Sequence, residues 1–124
     1  MSATTEAVRE PPANYGPYAS EEAALNAVVE RLVRGLQPRA VYLFGSRAER
    51  RARPDSDFDL VVVLDDDAAG DHASYEGVYA PLCGSEIGCD VVPCLASEFE
   101  EVLHDPTNPW HAPWRRARKL YERA

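Results

Sequence analysis

Two aspartates stand two residues apart at the head of an apolar run, "DFDLVVVL" (57–64). On a strand, residues i and i+2 share a face with Cα atoms about 6.5–7 Å apart. Asp57 and Asp59 then point the same way from a segment that is otherwise Val and Leu. Carboxylates that close raise each other's pKa and resist desolvation. A hard divalent cation removes the conflict, and magnesium commonly takes one or two carboxylates plus substrate phosphates. Turn chemistry is the competing reading, since "PDSDFD" also suits a solvated loop at a strand's start. A third carboxylate, Asp90, opens "DVVP" after Gly-Cys. Asp is disfavoured in strands. It is either a turn residue or, if its strand neighbours 57–64, a partner of the other two.

Upstream, the short run "AVYLF" ends in Gly45-Ser46 and leads into "RAERRAR". A strand that ends in Gly-Ser and turns into a helix offers free backbone N–H groups to an anion. Glycine there lets a phosphate approach the backbone. A capping box explains the same residues without a ligand, with Ser46 capping and Glu49 reaching back. The stretch also holds Arg47, Arg50, Arg51 and Arg53 within seven residues of a chain whose formal net charge is −8. Such a cluster supplies local positive potential beside an anionic ligand.

These residues need a scaffold, and the periodicity provides one. Residues 1–19, with Pro11, Pro12, Gly16 and Pro17, read as a disordered or loosely docked tail. From Ser20, an N-cap followed by Glu21 and Glu22, apolar residues recur at helical spacing from Leu25 to Leu36. Gly35 and Pro38 mark the stop. Strands follow at 40–44, 57–64 and 89–95. The second is continuous enough in Val and Leu to be buried on both faces. "SYEGVYAPLC" reads as a helix weakened by Gly77 and Pro81, and "SEFEEVLH" as a short helix capped by Ser97. The end begins helical, with Trp110 and Trp114 one turn apart, and finishes as a strand near "KLY". Both tryptophans read as caps on the core or as partner contacts. Alternating helices and strands define an α/β (α+β) domain over 20–124, with a small mixed β-sheet flanked by helices.

Composition narrows the function. A chain of 124 residues with 27% charged residues is one ordinary globular domain. An acidic balance argues against direct nucleic-acid binding. No apolar run nears the ~18 residues of a membrane span, and the N-terminus has no secretory h-region. Cys83, Cys89 and Cys94 match no zinc spacing and read as reduced thiols, which fits a cytoplasmic protein. His72, His104 and His111 show no i,i+4 pairing and read as surface or structural positions.

The combination "GS", then "DxD" eleven residues later, then a strand led by Asp resembles the polymerase-β nucleotidyltransferase superfamily. "GSRAERRARPDSDFDL" looks like its minimal (MNT-type) subgroup, and the resemblance covers about residues 20–124. It implies Gly45, Ser46 and Arg47 at the triphosphate of a nucleotide. It also implies Asp57, Asp59 and Asp90 as metal-binding catalytic carboxylates on two Mg²⁺ ions, with ATP as substrate. Minimal domains of this type commonly pair with a HEPN-type toxin, which implies an antitoxin that transfers AMP to a tyrosine of that partner. A non-catalytic antitoxin acting by occlusion and a transferase acting on a small-molecule hydroxyl are the alternatives. One departure stands out: relatives usually carry Gly where this chain has Arg50. If that position is left-handed, Arg there carries strain.

Overall fold

The computed structural model describes residues 12–68 and 73–124. His72 and most of the segment read as a tail, residues 1–11, lie outside them. Helix α1 (Glu21–Leu36) begins where the sequence places it, with Ser20 Oγ accepting the Ala23 N–H at 3.1 Å. It runs through Gly35 and closes at Gln37, a left-handed residue with φ 49° whose N–H returns to the Val33 carbonyl. Gly35 is therefore not the stop. A Cβ there would sit 2.6 Å from Pro81 Cγ, so the missing side chain lets α1 lie flat against residues 80–82.

Strands β1 (Ala40–Phe44) and β2 (Phe58–Leu64) pair antiparallel, with the short helix α2 (Gly45–Ala48) between them. Helix α3 (Tyr75–Tyr79) and a 3₁₀ turn (Ala80–Leu82) carry the chain to β3 (Cys89–Leu95), which lies parallel to β2. Helix α4 (Ala96–Leu103), helix α5 (His111–Arg115) and strand β4 (Arg118–Glu122) complete the domain. The sheet order is β3-β2-β1-β4, a mixed sheet as expected. Pro93 sits on an edge strand, where its missing donor is harmless. Ser97 does not cap α4. The helix starts one residue earlier, the Glu98 carboxylate accepts the Leu95 N–H, and the Ser97 N–H goes to Asp66.

Strand alternation sends β2 side chains into two cores. Phe58, Leu60, Val62 and Leu64 meet α1 and Val78, while Val61 and Val63 meet Phe99, Val102 and Trp114. Both faces of β2 are covered, which explains its unbroken apolar run.

The end of α2 settles the Arg50 question. Arg50 has φ 58°. The Arg51 N–H reaches the Ser46 carbonyl at 2.8 Å and the Arg50 N–H reaches Arg47 at 3.3 Å. Those two bonds form the Schellman pattern, whose left-handed position normally holds Gly. The turn is kept and Arg50 bears its conformational cost. Arg50→Gly should raise stability by about 1 kcal/mol, read as a higher midpoint in thermal or urea unfolding. An unchanged or lower midpoint would mean that the Arg50 side chain offsets the strain.

Candidate active site

The three aspartates meet at one end of the sheet. β1 and β2 pair Phe44 with Asp59, and β2 and β3 pair Asp59 with Asp90. Asp57 precedes β2 and shares the parity of Asp59. Asp59 is half-buried, while Asp57 and Asp90 are exposed. Gly45 follows Phe44 directly and has φ 74°. Any side chain on it would collide with the Asp59 carboxylate. Glycine is therefore required twice over, for the backbone conformation and for that close approach.

Electrostatically the cluster is uncompensated. Burial, then the charges of Asp90 and Asp57, push the Asp59 carboxyl above its ordinary 3.8. None of the three aspartates forms an ion pair among the described residues. Cys89, beside them, is pushed up to about 12 by burial and by the same carboxylates, so its thiol stays protonated.

Two readings of the Gly-Ser stretch are corrected. Ser46 is the second residue of α2, not its cap, and Phe44 precedes the helix without a side-chain cap. Glu49 does not reach back, and its carboxylate lies 3.5 Å from both Arg51 and Arg116. Arg47 does not present its guanidinium to a phosphate. Its side chain is 1% exposed and bonds Glu21 at 2.5 Å. Its Nη2 and Nε donate to the carbonyls of Arg53, Pro54 and Ser56. The guanidinium lies 4.1 Å from the Phe58 ring centroid and 5.7 Å from that of Tyr15. Arg47 is the structural pin of the loop that delivers Asp57. Arg51 and Arg53 pair with Glu49 and Asp55, as surface charges do.

Sequence reasoning missed Asn14. Its side chain donates to the carbonyls of Ser56 (3.0 Å) and Gly88 (2.8 Å) and accepts the Gly88 N–H (2.6 Å). Its own N–H reaches the Pro54 carbonyl. Asn14 thus ties the peptide before Asp57 to the peptide leading into β3 and Asp90. From Asn14 onward the segment read as a tail is fixed to the site. Nothing in local spacing marks this, because the partners are 42 and 74 residues away.

No three His, Cys, Asp or Glu side chains among the described residues converge closely enough to form a ready metal cage. A cavity of about 810 Å³ lies at the opposite end of the sheet, lined by Arg39, Tyr42 and Asp65 to Asp67, and is separate from this cluster.

With this geometry in place, the comparison with known families is direct. The chain matches the family described as Polymerase beta, Nucleotidyltransferase over residues 26–91, just over half its length. It belongs to that family, and nucleotidyl transfer is the activity the family defines. The matched segment contains Gly45, Ser46, Arg47, Asp57, Asp59 and Asp90. No curated protein and no solved structure matches the chain. No helix among the described residues is long and apolar enough to cross a membrane.

Two outcomes follow. Arg47→Lys keeps the charge beside Glu21 but loses the planar fork that serves three carbonyls. It should cost about 2 kcal/mol, seen as a lower urea midpoint. The second concerns Asp59. A carboxyl whose folded pKa is raised binds more protons folded than unfolded between the two values. Its ionisation therefore works against the fold above the folded pKa, and that burden disappears as pH falls. In a chelating buffer, Asp59→Asn should melt higher than the parent at pH 7, by the ~0.5–2 kcal/mol typical of relieved charge. The gap should close as pH falls toward 4. A gap that is absent at pH 7, or independent of pH, would refute the electrostatic account.

Proposed function

We propose that the chain is a magnesium-dependent protein adenylyltransferase that moves AMP from ATP to a tyrosine hydroxyl of a HEPN-type toxin and so acts as its antitoxin. The observation that carries the catalytic part is the gathering of Asp57, Asp59 and Asp90 at one sheet end, with no cation paired to them among the described residues.

The donor set fits a hard divalent ion. All three side chains offer oxygen, and burial, then the charges of Asp90 and Asp57, raises the Asp59 pKa. Magnesium takes one or two protein carboxylates and completes its shell with phosphate oxygens and water, so it does not require a cage of three side chains. Asp57 and Asp59 would hold it, with Asp90 joining at a second ion or facing the acceptor. Bound there, magnesium supplies Lewis-acid stabilisation of the charge that develops around the α-phosphorus.

The chain's own residues do the rest. Gly45 leaves space directly beside Asp59, and Ser46 lies at the first turn of α2, where backbone N–H groups favour phosphate oxygens. Asp90 is exposed and in register with Asp59, so it can accept the proton of an attacking hydroxyl. A tyrosine hydroxyl, with a pKa of about 10, needs such help at neutral pH. The phenolate oxygen bonds to the α-phosphorus, the bond to pyrophosphate breaks, and the phenolic proton passes to Asp90 or to water.

Incubating the purified chain with ATP, Mg²⁺ and its toxin partner should add one or more AMP masses to a tyrosine of the partner, read by mass spectrometry. The Asp57→Asn/Asp59→Asn double variant should lose the modification and keep binding. A partner that is inhibited yet gains no mass would overturn the enzymatic reading in favour of occlusion.

A further inference from the structure

A groove of about 340 Å³ opens along the face of β3 that carries Asp90, with walls from β3, α4, α5 and Tyr75 of α3. Asp90, Val92 and Cys94 alternate onto one side of β3, so Val92 lies one strand repeat, about 6.5–7 Å, from Asp90. From β1, Phe44 meets Trp110 edge to face at 5.7 Å, and Phe44 is the register partner of Asp59.

Two properties of the groove call for a ligand. Trp110 is 39% exposed, a large apolar surface left open while its ring stacks on the buried Trp114 at 5.3 Å. Glu98, Glu101 and Asp105 form the rim; Glu98 also accepts the Leu95 N–H and Asp105 the Thr107 N–H and hydroxyl, and none of the three forms an ion pair among the described residues. An aromatic platform with an anionic rim is the chemistry that holds an ammonium or guanidinium group. The same rim repels a triphosphate.

We propose that this groove is the acceptor subsite and receives an Arg or Lys side chain of a protein segment whose hydroxyl is thereby brought to Asp90. This rests on the reading of the chain as a transferase to a protein hydroxyl. Charge complementarity with an acidic chain of net charge −8 favours a basic segment and makes its docking salt-sensitive.

The chain's two tryptophans both line the groove, so intrinsic fluorescence reports its occupancy without nucleotide or metal. Two synthetic peptides, each with one tyrosine, serve as probes, one flanked by arginines and the other by glutamates. The arginine peptide should quench saturably and bind at least about tenfold more tightly than the glutamate peptide. A Glu98→Gln/Glu101→Gln variant should lose about tenfold in affinity for it, while its melting temperature stays close to the parent's. Equal responses to the two peptides would overturn the proposal. So would equal quenching by spermidine, which would make the groove a small-amine site, or stronger quenching by ATP alone, which would make it a base pocket. The measurement needs no transfer. Binding without AMP addition counts against the proposed reaction only, and AMP addition unaffected by the variant counts against the groove only.

Discussion

The arrangement rests on one buried cation. Arg47 leaves α2 and enters the protein, where Glu21 supplies the counter-charge and three carbonyls of residues 53–56 supply acceptors. Removing a guanidinium from water is expensive, and only a full set of partners offsets it. That requirement fixes the loop. With the Ser56 carbonyl held by Arg47 on one side and by Asn14 on the other, the next residue, Asp57, has little freedom. Asn14 carries the constraint across to Gly88 and the start of β3. The like charges of the three aspartates would push a loose loop apart. Here they are held by neutral and cationic groups that lie behind them.

This division of labour answers why an acidic chain carries an arginine-rich stretch just before its aspartates. One arginine is structural, two balance nearby carboxylates, and Arg50 occupies a turn position that glycine would fill more cheaply. The positive charge lies behind and beside the carboxylates and forms no ion pair with them. The aspartates therefore keep the negative field that a cofactor cation would need.

How much of this could be read from the chain depends on the range of the forces involved. Strands β1 and β3 fall at the expected bounds because β-branched runs end at Gly or at a helix start, which are local signals. The carboxylate face follows from strand parity, and the mixed sheet from the alternation of elements. Helix phase was less legible. Ser46 and Ser97 are each the second residue of a helix that begins one residue earlier, because tertiary packing sets the start and a serine in range does not. The direction of Arg47 and the role of Asn14 were not legible at all. Arg47 depends on Glu21, 26 residues away, and Asn14 on residues 42 and 74 away, inside a stretch whose composition resembles a linker.

Strand alternation puts the carboxylate cluster and the groove wall on one face of the sheet. The parity that puts Asp59 and Asp90 together also continues along β3 into Val92 and Cys94 and along β1 into Phe44, the residue that Trp110 covers. A one-residue slip of β3 would turn Asp90 toward the core and Val91 outward, so the core that buries Val91 also enforces the site. Edge position matters equally. β3 has β2 on one side only, and the Val91 N–H is satisfied by the Tyr79 hydroxyl at 2.8 Å instead of by another strand. The sheet therefore stops where the carboxylates begin to face solvent. On the proposed reading, an incoming hydroxyl reaches Asp90 from that side without displacing any strand of the fold.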